Sequence, residues 1–162
     1  MVHDPKSDPK SSFGYNSFGD RSSDSHRGRI LLVDDEPLVL EVLEGALGKE
    51  GYEVTTASDA QAALLLIERG AFDGIVCDVR LENLDGFDLL MIARKRNPTI
   101  AGVLITGAPT DFDAERANEL AAAYLSKPIA LGHLFMRLDE LVRQSMALQN
   151  EEDEQERDAQ QI

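Results

Sequence analysis

Residues 74–79, GIVCDV, form an apolar run of strand length with an acid, Asp78, near its end. Short, near-continuous apolar runs are typical of strands buried on both faces, and such strands belong to parallel sheets covered by helices. The same pattern recurs on either side. Upstream, RILLVD (29–34) is a second such run ending in acids. EPLVLEVLEGALGKEG follows it, with Leu40, Leu43 and Leu47 at helical spacing, Pro37 near the start and Gly51 at the stop. YEVTTA (52–57) alternates as a strand, and Ser58 is placed to cap DAQAALLLIERG, which Gly70 ends.

Downstream, residues 86–96 read as a helix closed by Asn97-Pro98, and GVLIT (102–106) as a strand. A short, weakly apolar helix around 113–121 precedes a fifth strand, AYLS (123–126). The last helix, ALGHLFMRLDELVRQSMAL, carries Leu131, Leu134, Phe135, Leu138, Leu141 and Val142 on one face. Five strand–helix units predict an α/β fold: a doubly wound, five-stranded parallel sheet between two helical layers, a (βα)5 three-layer sandwich.

The ends differ from the middle. Residues 1–27 are mostly Ser, Asp, Gly, Pro and Lys, with Phe13, Tyr15 and Phe18 but no periodicity. Such a segment buries too little apolar surface to offset its ordering entropy, so a disordered extension is expected. Residues 149–162, with six acids and one arginine, read as an acidic disordered tail, leaving 28–148 as one folded domain. Neither end has room for a second folded domain, so a stand-alone protein is expected.

Composition narrows the function. Thirty acids against 16 bases give a formal net charge of −14, which disfavours nucleic acid and anionic lipid as partners. No apolar run approaches the roughly 18 to 20 residues that cross a bilayer. The N-terminus has no signal-peptide pattern, and a single cysteine, Cys77, forms no internal disulfide, so a cytoplasmic location is expected. Cys77 itself reads as a small buried hydrophobe, and His26 and His133 do not fall at a metal-ligand spacing.

In open parallel sheets the site lies beyond the carboxyl ends of the strands. Those ends carry Asp34-Asp35, Asp78, Thr106 and Lys127-Pro128. Three converging carboxylates repel one another and call for a cation, and oxygen-only ligands favour a hard ion such as Mg²⁺. A metal beside a carboxylate nucleophile, a hydroxyl and an ammonium is equipped for phosphoryl transfer.

LLVDDEP, IVCDVRLENLDGFDLL, VLITG and YLSKP, in that order, resemble the four signature stretches of response-regulator receiver domains of bacterial two-component systems. Spacing agrees: 43 residues from Asp35 to Asp78, 28 on to Thr106 and 21 on to Lys127, with Gly86 eight residues after Asp78. The resemblance covers about residues 28 to 145 and implies a flavodoxin-like sheet. It implies that Asp78 is the phosphoacceptor, and that Mg²⁺ is held by Asp35 directly, by Asp34 through water, by Asp78, and by the backbone carbonyl of Arg80. Thr106 and Lys127 would bind the phosphoryl oxygens, Tyr124 would switch with Thr106, and the Lys127–Pro128 bond would be cis. The chain departs from the family at Glu82, where proline is usual, and in its short fourth helix.

The implied role is a phosphorylation switch, not an enzyme on other substrates, since it catalyses only its own phosphorylation and dephosphorylation. Its implied partners are a histidine kinase or histidine phosphotransfer protein and a downstream protein target. One alternative is an interaction module of the same fold that phosphate does not switch. A metal-dependent phosphohydrolase would want a second Asp two residues after the nucleophile, where Arg80 stands.

Overall fold

A computed structural model describes residues 26–161. Five strands, β1 (Gly28–Val33), β2 (Tyr52–Ala57), β3 (Gly74–Asp78), β4 (Ala101–Thr106) and β5 (Ala123–Ser126), alternate with five helices. These are α1 (Pro37–Lys49), α2 (Ala60–Arg69), α3 (Gly86–Arg96), α4 (Asp111–Glu119) and α5 (Leu131–Gln160). All the strand pairs are parallel, in the order β2-β1-β3-β4-β5, as the alternation predicts. The order reverses at β1 and β3, whose carboxyl ends carry Asp34 and Asp78. That reversal opens the crevice in which doubly wound folds place their sites.

The period-two alternation of the strands divides the core in two. Leu31, Val33, Ile75, Cys77 and Leu104 face Ala63 and Ile67 of α2, Phe87, Leu89 and Leu90 of α3, and Ala117 of α4. Ile30, Leu32, Val76, Val103 and Ile105 face Leu43 and Leu47 of α1 and Leu134, Leu138 and Val142 of α5. The inner strands β3 and β4 are buried on both faces, which is why they read as unbroken apolar runs, whereas the edge strands β2 and β5 are only partly covered.

Two local expectations are corrected. The cap of α2 is Asp59, not Ser58: its carboxylate accepts the Ala62 N–H at 2.7 Å, where an anion also meets the helix dipole. Residues 149–160 are not a disordered tail but the continuation of α5, a 30-residue helix about 45 Å long. Every side chain from Ala147 to Gln161 is exposed, so packing does not hold this part. Its Glu, Gln, Ala and Arg residues are strong helix formers uninterrupted by Gly or Pro, and Arg157 follows Asp153 and Glu154 by one turn. Polarity alone signalled disorder; propensity favours helix. Residues 1–25 of the expected N-terminal extension lie outside the described residues. Arg27 is already anchored, its N–H donating to the Gly51 carbonyl at 3.0 Å.

Candidate functional site

The three acidic strand-end positions form one pocket. β1 delivers Asp34, 3% exposed, and the turn into α1 adds the exposed Asp35 and Glu36; β3 delivers Asp78, 6% exposed. One carboxylate oxygen from each of these four lies within 4.8 Å of the others. Backbone N–H groups hold the two buried acids in place. Asp34 Oδ1 accepts from Glu36 N at 2.9 Å and Asp78 Oδ1 from Arg80 N at 3.0 Å, the local turn that Asp favours.

Lys127 enters from the end of β5. Its ammonium donates to Asp78 Oδ2 at 3.0 Å, Asp34 Oδ2 at 3.2 Å and Glu36 Oε1 at 3.4 Å. Burial opposes its charge, but the hydrogen bonds to Asp78 and Asp34 and their charges outweigh burial and hold it above the usual lysine value. The Asp34 carboxyl is pushed up, chiefly by burial; the Glu36 N–H and Lys127 oppose the rise, and the charge of Asp78 adds to it. Four carboxylates against one ammonium leave excess negative charge on an all-oxygen donor set. That set fits a hard divalent cation such as Mg²⁺.

Thr106, fully buried at the end of β4, is one residue past the partner of Asp78 in the sheet. Its hydroxyl accepts the Ala108 N–H at 3.1 Å, and its carbonyl accepts the Lys127 N–H at 2.8 Å, tying β4 to the lysine. The Lys127–Pro128 bond is cis. Tyr124 packs at the edge of the core, and its hydroxyl accepts the Thr110 N–H at 3.1 Å, at the start of α4. Cys77 is buried, its thiol donates to the Asp78 carbonyl, and burial, with the charges of Asp78 and Asp34, pushes the thiol up and keeps it protonated.

Gly86 explains why the loop after β3 returns so closely. A Cβ there would lie 2.5 Å from the Asp78 carbonyl oxygen and 3.1 Å from Val79 Cα. Only glycine lets α3 start against the backbone of the pocket.

Asp34, Asp35, Asp78 and Lys127 thus meet at one sheet edge, with Thr106 at the neighbouring strand end, the Arg80 N–H on the Asp78 carboxylate and Tyr124 directed at α4. Two residues escaped the sequence reading. Glu36 joins the acidic cluster; its signal was a third consecutive acid after Asp34-Asp35. Asp113, 7% exposed in the first turn of α4, lies 3.9 Å from Arg80, and nothing in its polar neighbourhood announced its burial.

Known proteins resemble the chain over this same segment. The family model of the response regulator receiver domain matches residues 30–139. The transcriptional regulatory protein TcrA of Mycobacterium tuberculosis is 38% identical over 117 residues, 71% of this chain and 46% of that protein. A CheY-like receiver domain protein of Methanospirillum hungatei is 30% identical with a TM-score of 0.68, covering 74% of this chain and 96% of that one. The signal receiver domain of an HD domain-containing protein from Pseudomonas fluorescens is 30% identical with a TM-score of 0.69, covering 75% and 99%. The chain spans about half, or less, of the length of the curated relatives it matches. No helix among the described residues is long and apolar enough to cross a membrane.

Proposed function

The chain belongs to the response-regulator receiver family of two-component systems, and from that premise we propose that it is switched by phosphorylation of Asp78. The observation that carries the reading is the triple contact of Lys127 with Asp78, Asp34 and Glu36 in a pocket whose donors are all oxygen. Asp78 Oδ2 attacks the phosphorus of a phosphodonor; a new O–P bond forms as the donor's bond to phosphorus breaks, and the leaving group keeps the electron pair. Lys127 is placed to follow the transferred group, exchanging carboxylate oxygens for phosphoryl oxygens. The Asp78 Oδ1–Arg80 N–H hydrogen bond fixes the carboxylate orientation, leaving Oδ2 toward Lys127. Thr106 offers its hydroxyl at the neighbouring strand end, and Tyr124 links β5 to α4.

Asp34, Asp35, Asp78 and the Arg80 carbonyl would hold Mg²⁺, with Glu36 beside them. The ion would neutralise charge developing on the phosphoryl oxygens. The phosphodonor partners are a histidine kinase or histidine phosphotransfer protein, met in the cytoplasm, and output passes to a downstream protein through altered contacts. Incubation with acetyl phosphate and Mg²⁺ followed by a phosphate-affinity gel tests the reading. A retarded band in the wild type and none in Asp78→Asn is expected; equal retardation of both defeats it.

A further inference from the structure

Among the described residues, Asp113 is the one buried carboxylate outside the acidic pocket. Burying a carboxylate is costly unless cations accompany it, and Asp113 has two. Arg116 Nη1 lies 4.0 Å from Oδ1, and Arg80 Nη2 lies 3.9 Å from Oδ2. The two arginines differ in freedom. Arg116 is held elsewhere as well, 3.6 Å from Asp85 and stacked 4.2 Å over the Phe87 ring. Arg80 has a side chain 63% exposed, and its backbone N–H is already bound by the Asp78 carboxylate.

The helix that carries Asp113 is weakly packed. α4 buries only Asp113 and Ala117, and it leaves Phe112 69% exposed. Its first turn is held instead by polar contacts: the Thr110 hydroxyl caps it by accepting the Asp113 N–H at 3.0 Å, the Tyr124 hydroxyl accepts the Thr110 N–H, and Arg80 pairs with the Asp113 carboxylate. Arg80 thus ties the phosphorylation edge directly to α4. A phosphoryl group on Asp78 brings a charge approaching −2, two residues from the root of Arg80, and guanidinium pairs with phosphate in bidentate fashion. Asp113 keeps Arg116 when Arg80 leaves, so the exchange strands no buried charge.

We propose that Arg80 is an exchangeable latch, shared between Asp113 and a phosphoryl group on Asp78, so that phosphorylation draws it off Asp113 and unfastens the first turn of α4. The proposal rests on Asp78 being the phosphoacceptor. Asp113 acts in it as a positioning residue: it holds Arg80 away from the phosphoryl group and thereby shortens the phosphorylated state.

Amide hydrogen exchange over Asp111–Glu119, with and without acetyl phosphate and Mg²⁺, reads the latch directly. Wild-type exchange should rise about fivefold on phosphorylation, the lower range of coupling between linked sites. Arg80→Ala and Asp113→Asn should show raised exchange before any phosphodonor is added, and a smaller response to it. In parallel, loss of label from Asp78 should slow several-fold in Asp113→Asn, and the slowing should vanish in the Asp113→Asn/Arg80→Ala double variant. Unchanged resting exchange in Arg80→Ala, or slowing that survives in the double variant, overturns the latch. Absence of label in the wild type is a distinct result: it overturns the phosphoacceptor reading and the latch with it.

Discussion

Replacing Gly86 with alanine tests how tightly the pocket backbone is packed. The new Cβ would sit 2.5 Å from the Asp78 carbonyl oxygen, whereas ordinary contacts begin at 3.4 Å. About 0.9 Å of movement must therefore be found among backbone atoms, which give far less readily than a side-chain tip. Overpacking of this kind costs roughly 3 kcal/mol, the upper part of its usual range. Alanine recovers about 1 kcal/mol through better helix propensity and a less flexible unfolded chain. The net is a loss of about 2 kcal/mol, read in urea unfolding as a lower midpoint with an unchanged slope. In thermal melts the same loss lowers Tm by roughly 4–8 °C. The displaced carbonyl belongs to Asp78, so phosphoryl uptake should also slow by roughly ten- to a hundredfold. Gly45→Ala is the matched control. It lies exposed within α1 with nothing within 4 Å of its added Cβ, and should gain about 0.5–1 kcal/mol. Refutation is simple: if Gly86→Ala is as stable as the wild type, the close approach does not constrain the loop.

Three further outcomes are expected. Asp78→Asn should raise the stability of the metal-free protein by about 1 kcal/mol, since one of four clustered carboxylates loses its charge while Lys127 keeps Asp34 and Glu36; a lower midpoint in chelator counts against net repulsion. The Asp34 carboxyl holds its proton more tightly folded than unfolded, where its value is 3.8, so its contribution to metal-free stability is present at acid pH and lost as pH rises through the window just above that value; melts from about pH 4 to about pH 6 should show this slope shrink in Asp34→Asn. Removing residues 149–162 should lower the far-UV helical signal yet cost under about 1 kcal/mol, because the side chains lost are exposed; an unchanged spectrum would deny the helical extension.

Much of this architecture was legible because strands buried on both faces carry an unambiguous signal, and GIVCD and RILLV yield it without tertiary information. The pocket was legible for a related reason: polar residues that close such runs must gather at one sheet edge. What escaped depends on geometry that no local pattern encodes. Glu36 joins the cluster because the turn into α1 brings it within reach of Lys127. Asp113 is buried in the first turn of α4, where arginines from the β3–α3 loop and from its own helix approach its carboxylate. Tyr124 reaches α4 by a side-chain orientation that spacing does not determine. Residues 149–160 are polar enough to suggest disorder, yet their Glu, Gln, Ala and Arg residues favour the helix they form.

Phosphorylation should turn one carboxylate, that of Asp78, into an acyl phosphate. Borohydride reduces an aspartyl acyl phosphate to homoserine, and peptide sequencing by mass spectrometry then locates it. After treatment with acetyl phosphate and Mg²⁺, homoserine is expected at position 78 alone, dependent on the divalent ion and greatly diminished in Lys127→Met. Homoserine at position 34 or 35, or none at 78 in a protein that nonetheless retains phosphate, would contradict it.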